Sequence, residues 1–503
     1  LQTNKFIEEL EDLIKENRMR TMNLFKRVFI AACALLALSS AYGQDSFSDS
    51  EPVDTLVLDL DQAIRIALSD NPTIKVADME IEKADYANKE VIGNLFPNIG
   101  GTAGYTRNIK KQVMAGFNMD IGSTLGLYLK DIYDTLNMAP PQVDNSGSNE
   151  PLEIGTNNQW TMGFTAGMPL INVPLWESIK LTKEAVNSKI EEARASRIDM
   201  VASVTEAYYG ILNAQDSYNV LLQSYDIALE NLRIAKTRFD QGMASEYDVI
   251  QAEVQVKNLQ PTLIATRNGI ELATLQLKVL AGLPTDFPVK VTGTLSDYEQ
   301  EMFEIVTIND VDTSLADNPN IRQLEVATRL LESQLKLEKA QWFPTLSLSA
   351  TYLWISLNDN FKFKDYKFYP TSTVGITLSV PIFQGGSRYY KQKQAQIAYD
   401  EMAYTMENTK RLLRNQLQAS IDQLIVSIKQ IESTKETVAL AEKGLSISQK
   451  RYEVGAGSSI ELIYSENALT QSKLTYYQAI YDYIVAKNAL DKVLGNAYEA
   501  YIN

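Results

Sequence analysis

The chain has 503 residues, with 47 Lys+Arg against 63 Asp+Glu, no His and one Cys. Without imidazole there is no Ser-His-Asp or Cys-His nucleophile pair and no His-ligated zinc. Cys33 alone forms no intramolecular disulfide, and a net charge of -16 opposes nucleic-acid binding, which needs a basic face.

Residues 1–18 read as a polar upstream extension, with translation expected to start at Met19 or Met22. Met22 to Arg27 is a short basic region, and Val28 to Leu38 is an unbroken apolar run. That run is too short for a spanning helix, which needs about 20 apolar residues. Ala41 and Gly43 are small residues at the two positions a signal peptidase reads, so 1–43 is expected to hold a signal peptide cleaved after Gly43. Ile30-Ala31-Ala32-Cys33 superficially matches a lipobox. Apolar residues follow Cys33 at once, which fits a small residue inside the signal core.

The rest is a tandem repeat. Leu68-Ser69-Asp70-Asn71-Pro72 recurs as Leu315-Ala316-Asp317-Asn318-Pro319, and Phe96-Pro97 as Phe343-Pro344. Further on, Met168-Pro169-Leu170-Ile171 matches Val380-Pro381-Ile382-Phe383, and Arg238-Phe239-Asp240-Gln241-Gly242 matches Arg451-Tyr452-Glu453-Val454-Gly455. The boundaries are a first repeat over 44–285, a linker over 286–307 and a second repeat over 308–503.

Each copy is expected to run helix, two strands, long helix, turn, helix. Pro72 and Pro319 suit the first turn of a helix, where a missing N–H costs nothing. Phe96-Pro97 and Phe343-Pro344 stop those helices near Leu95 and Gln341. Period-two alternation predicts strands over 98–107, 159–168, 345–354 and 373–382. Each has one apolar face and one of Ser, Thr and Gly, and each has the length of a tilted transmembrane strand. Phe96, Trp176, Trp342 and Phe383 cluster at one end of the strands, and Tyr105, Trp160, Tyr352 and Trp354 at the other. They suit interfacial girdles. The long connection Asn108 to Asn158 and the shorter Leu357 to Pro370 read as cell-surface loops. The stretch from Gly282 to Asp310 is expected to pack at mid-helix level. A helix from Trp176 to Phe239 would span on the order of 95 Å at about 1.5 Å per residue, and its narrow apolar stripe suits coiled-coil packing.

The sharpest local motif is the turn at the far end of these helices: Gly242-Met243-Ala244-Ser245 with Asp248, and Val454-Gly455-Ala456 with Ser458 and Glu461. Gly ends the incoming helix in a left-handed cap. Ser caps the outgoing one, and the acid three residues on has capping-box spacing. Local capping accounts for every residue here. The functional reading is that two such tips per chain form a docking surface and a charged mouth.

Four strands leave two open edges, and unpaired backbone groups in lipid cost several kcal/mol each. Such a chain must oligomerise. Dimer and trimer both reach the eight strands of the smallest common barrel, and twelve strands leave the wider lumen. With the duplicated Asp-Asn-Pro, Phe-Pro and Arg-[Phe/Tyr]-x-x-Gly-x-x-Ser elements in order, the chain resembles the outer-membrane efflux protein family from about Leu58 to Gly495. The resemblance implies a mainly α homotrimer of long coiled-coil helices, with a twelve-stranded membrane β-barrel and an α-helical tunnel across the periplasm. It implies a passive exit channel of tripartite efflux or type I secretion, working with a periplasmic adaptor and an inner-membrane transporter. It maps adaptor contacts onto Gly242, Met243, Ala244, Ser245, Val454, Gly455, Ala456 and Ser458. Glu461 matches the first of two entrance acids of the family, Asp248 is its first-half counterpart, and Tyr464 stands where a second acid is found. No catalytic residue, cofactor or metal is expected. The rival reading is a secreted coiled-coil scaffold with a small packed sheet. A hydrolase built on paired carboxylates has no support, since Asp70, Asp317, Asp248 and Glu461 all have helix-end explanations.

Overall fold

The computed structural model describes residues 56–114, 129–130, 132–138, 152–298, 315–496 and 501. The expected signal peptide, Cys33 and the upstream extension lie outside the described residues, as does much of the Asn108 to Asn158 connection. In chain order the elements are β1 (Leu56–Leu58), α1 (Leu60–Asp70), α2 (Pro72–Gly93), β2 (Asn98–Arg107), β3 (Gln112–Met114), β4 (Leu152–Ile154), β5 (Asn158–Ile171), α3 (Val173–Asp240), α4 (Glu246–Ala281), β6 (Val289–Val291), α5 (Pro319–Ala340), β7 (Thr345–Asn358), β8 (Tyr369–Ser379), α6 (Ser387–Glu453) and α7 (Ser459–Leu494).

The 68 residues of α3 reach roughly 100 Å at about 1.5 Å per residue. Pro261 sits inside α4 without ending it. Two hairpins, α3–α4 and α6–α7, run side by side, with α2 against α3 and α5 between α3 and α6.

Both Asp-Asn-Pro motifs start a helix as expected, with Pro in the first turn. The structure adds what the Asn does. Asn71 Oδ1 accepts from Thr73 N (2.7 Å) while its Nδ2 donates to Leu280 O (2.7 Å). Asn318 Oδ1 accepts from Asn320 N (2.9 Å) while its Nδ2 donates to Val493 O (2.6 Å). One buried side chain thus caps the start of one helix and the end of another, satisfying orphan groups of both. Gly282 and Gly495 follow in the left-handed region, where a Cβ would meet Asp70 O at 2.8 Å and Asp317 O at 2.1 Å.

The core is a belt halfway along α3. β1 and β6 pair in parallel and pack with Ile64, Tyr208, Leu212, Leu277, Leu295 and Ile480, all at most 1% exposed. Tyr208 Oη donates to Thr292 O (2.7 Å), and Leu295 N donates to buried Asp216 (2.9 Å). The part of the Gly282 to Asp310 stretch up to Tyr298 therefore packs at mid-helix, as its sequence predicts, and 299–310 lie outside the described residues.

The sheet is antiparallel in the order β2-β5-β7-β8, and the helices continuing its strands follow the same order. Register brings the apolar sets together: Tyr105 opposite Trp160, Met162 opposite Trp354, Leu348 opposite Ile376. The other face is Ser, Thr and Gly: Thr165 opposite Thr351, Ser349 opposite Gly375, Ser347 opposite Thr377. Among the described strands, β2 and β8 have no partner on their outer sides.

Three strand boundaries differ from expectation. β8 covers Tyr369–Ser379 rather than 373–382. The alternation through Val380 and Ile382 overran the strand, because Pro381 has no N–H for a ladder. β5 continues past Pro169 to Ile171 through a register shift, a bulge that absorbs the missing donor. β7 extends to Asn358. No described helix is long and apolar enough to cross a membrane.

Candidate functional site: the helical tips

Each hairpin turns where its sequence predicts. At the first tip Gly242 adopts φ 72°, and Met243 N closes onto Arg238 O (2.8 Å). Ser245 and Asp248 form a complete capping box: Ser245 Oγ accepts from Asp248 N (3.3 Å), and Ser245 N donates to Asp248 Oδ2 (3.1 Å). At the second tip Gly455 adopts φ 73°, and Ala456 N and Gly457 N both reach Arg451 O (2.8 and 2.9 Å).

The second box is only half made, which corrects the expectation from spacing. Ser458 Oγ accepts from Glu461 N (3.2 Å), but the Glu461 carboxylate turns to Arg451, 3.6 Å from its Nη1. Arg451 is also held by Ala456 O (3.3 Å). A nearby guanidinium outcompetes the uncharged amide of Ser458 for the carboxylate.

The two tips are joined. Ser459 Oγ donates to Asp248 Oδ1 (2.5 Å), and the Arg238 guanidinium lies over the Tyr452 ring, 4.4 Å from its centroid. The hydroxyls of Ser459 and Ser245, with the backbone N–H of Ser245, hold the Asp248 carboxyl below the usual carboxylate range, Ser459 contributing most. So Asp248 is at once a helix cap and a tie between hairpins. Glu461 takes no part in that tie.

Further from the tips, a polar seam continues. Asn231 Nδ2 donates to Glu466 Oε1 (2.6 Å), Thr470 and Ser224 hydroxyls meet at 3.1 Å, and Gln255 Nε2 donates to Asn467 Oδ1 (2.6 Å). Glu466 is 6% exposed; burial pushes its carboxyl up, and the Asn231 bond opposes this.

Outward, the tips are apolar and open: Met243 is 69% exposed and Val454 and Tyr464 are each 78% exposed. Met243 and Val454 stand on the two turns themselves, and Tyr464 on the outgoing helix of the second. Gly242, Ala244, Ser245, Gly455, Ala456 and Ser458 form the turns beside them, so the residues expected at the docking surface do share one end of the hairpins. Arg238 and Tyr452 were read only as parts of the repeated Arg-[Phe/Tyr] element, and Ser459 and Glu466 were not singled out in the sequence. Among the described residues no group of three His, Cys, Asp or Glu side chains is placed to hold a metal.

Comparison with known proteins agrees with this architecture. The family described as outer membrane efflux protein matches residues 63–283 and 311–496, the two repeats in turn. The alkaline protease secretion protein AprF of Pseudomonas aeruginosa is 25% identical over 303 residues, 59% of this chain and 61% of AprF, less than two-thirds of that relative. The outer membrane protein TolC of Escherichia coli is 21% identical over 355 residues, 66% of this chain and 68% of TolC. The solved CmeC outer membrane channel of Campylobacter jejuni superposes with a TM-score of 0.67 at 16% identity, covering 92% of both chains.

Proposed function

The chain belongs to the outer membrane efflux protein family, and from that premise we propose that three copies form one outer-membrane exit channel. The single observation that carries the assembly is the sheet. It has one apolar face, one Ser/Thr/Gly face and two unpartnered edges. Backbone groups at those edges must be satisfied in a bilayer, and closure on other copies satisfies them. Twelve strands place the hydroxyl and glycine face around a wet lumen and the apolar face against lipid. The long hairpins then extend the conduit across the periplasm.

The tips are the periplasmic gate. In the closed arrangement each chain holds its hairpins together through Asp248–Ser459 and Arg238–Tyr452. Opening rotates one hairpin against the other and breaks these ties. A periplasmic adaptor on the exposed Met243, Val454 and neighbouring turn residues supplies the differential binding that shifts the population. Energy comes from the inner-membrane transporter, and the chain itself carries no reaction. Glu461 stands at the mouth paired with Arg451; separating that pair on opening gives the entrance negative charge, which favours cations.

The test is the native mass of the detergent-extracted membrane form, corrected for bound detergent. Three times the mass of the processed chain supports the twelve-stranded barrel. A monomer released without detergent refutes it and leaves the secreted scaffold.

A further inference from the structure

At the other end of the helices, where strands become helices, Arg388 is buried with no counter-ion among the described residues. It is 7% exposed. Its Nη1 donates to Gln341 O (3.3 Å) and Pro381 O (3.2 Å), and the guanidinium lies 4.8 Å from the Trp342 ring centroid. Its Nε is buried and makes no hydrogen bond. No described carboxylate forms an ion pair with it or with Lys391, one turn further on. Buried charges are ordinarily paired, because leaving water costs several kcal/mol per ion.

Both cations line a cavity of about 320 Å³, shared with Glu338, Thr345, Ser379 and Gln384. Glu338 is its one acid, and its Oε1 accepts from Gln334 Nε2 (3.2 Å). The cavity also sits at the N-terminus of α6, which has no side-chain cap and no acid in its first turn. That end of a helix presents free N–H groups and a partial positive charge. Thr345 and Ser379 pair across β7 and β8 on the Ser/Thr/Gly face, so the cavity opens on the side that lines the lumen.

The repeat shows that this charge is not required by the architecture. At the offset that matches Pro169 with Pro381, Arg388 and Lys391 correspond to Trp176 and Ile179. There the helix start is capped by Asn172, whose Oδ1 accepts from Leu175 N (3.1 Å). The first repeat thus makes the same strand-to-helix passage with a neutral cap and no cation at either of those positions, and the neighbouring Lys180 is paired with Glu177 (2.7 Å).

We propose that Arg388 and Lys391 form an anion-binding station on the lumen wall, where the barrel meets the tunnel. It would take a phosphate or carboxylate group of passing cargo. The proposal rests on the channel reading for the direction in which the cavity opens. Three copies place six cations in a ring at this level, the arrangement by which pores select anions.

Two readouts separate the site from the channel. The first is broadening of the phosphorus resonance of pyrophosphate by detergent-solubilised full-length protein. The second is block of single-channel current in planar bilayers by pyrophosphate and by citrate. Arg388 also holds two backbone carbonyls, so Lys391→Gln is the primary variant. It should weaken pyrophosphate binding about tenfold, the loss of one charge-assisted hydrogen bond. Glu338→Gln should strengthen it. Block by pyrophosphate alone assigns the station to phosphate groups, and block by both anions extends it to carboxylates. Binding without any current keeps the site and refutes the channel. Current with equal pyrophosphate affinity in wild type and Lys391→Gln overturns the site and leaves the channel standing.

Discussion

Ser459→Ala removes one bond, the 2.5 Å donation from Ser459 Oγ to Asp248 Oδ1, and leaves the Ser245–Asp248 capping box in place. A hydrogen bond to a charged group contributes about 1.5–3 kcal/mol; this one is half-exposed, so the lower figure applies. About 1.5 kcal/mol per chain is roughly a tenfold shift towards the open tip. If three chains open together the shift approaches about a thousandfold. Asp248→Ala should open the gate to the same degree. It also removes a helix cap, so it should cost about a further 1 kcal/mol of stability. The assay is open probability in planar bilayers without adaptor, read beside thermal melting. The reasoning fails if Asp248→Ala opens the channel while Ser459→Ala gates like wild type, since the effect would then belong to the cap. The pH dependence has a definite sign. Asp248 is held below its ordinary value, so the tie is intact above the ordinary carboxylate range and is lost only as pH falls through the depressed value. Gating through this bond should be flat across neutral pH.

Gly495→Ala should be far more destabilising than Gly242→Ala, although both glycines have positive φ. The left-handed region alone costs about 1–2 kcal/mol, but only at Gly495 would the Cβ meet a carbonyl, Asp317 O at 2.1 Å. Equal melting temperatures would refute the clasp. Glu466→Gln tests the buried acid. Its raised carboxyl contributes stability below the ordinary carboxylate range that is lost as pH rises through the raised value, so the Gln variant should keep at pH 8 what wild type has only in acid. Identical pH–stability curves would count against it. Val374→Lys should abolish recovery of folded protein from outer membranes, at about 2–4 kcal/mol for a lysine near the bilayer midplane. Thr373→Lys, on the opposite face of β8, should be recovered normally; the reverse result would invert the two faces of the sheet.

The repeat, the strands and the turns were legible because their signals are local. Alternation of Val374, Ile376 and Leu378 with Thr373, Gly375 and Thr377 needs only the period of a strand. Gly242 and Ser245 announce a left-handed cap and an N-cap within four positions. The ties between hairpins were not legible that way. Asp248 and Ser459 are 211 positions apart, and Gln255 and Asn467 are 212 apart. Those separations nearly equal the repeat offset, so equivalent positions of the two hairpins lie side by side. That offset is the signal that could have found Ser459 opposite Asp248. Glu466 left no such trace: in a stripe already interrupted by Ser465 and Asn467, one more polar residue looks solvated. The end of β8 was misplaced because alternation through Val380 and Ile382 continued past a proline that pairing could not cross.

The distribution of ties along the helices determines where opening can occur. At the belt, Ile198, Val204, Tyr208, Ile211 and Leu212 of α3 are at most 1% exposed. Tyr208 and Asp216 bind the β6 segment, and Asn71 and Asn318 each fasten two helix ends. Beyond Ser224, only Ala228 and Ala235 of α3 are buried, and the hairpins are held by polar contacts: Asn231–Glu466 and Gln255–Asn467, then at the tip one hydroxyl–carboxylate bond and one cation–π contact. Small alanine contacts bury little area, at about 25 cal/mol per Å², so the tips can part while the belt holds. Amide exchange resolves this directly, since local opening costs less than global unfolding wherever buried contacts are few. Amides over 225–240 should exchange faster than those over 198–212, and Ser459→Ala should accelerate only the former. Uniform protection along α3, or a Ser459→Ala effect reaching the belt, would mean that the helix moves as one rigid rod and that the gate must be sought in how the chains pack against one another.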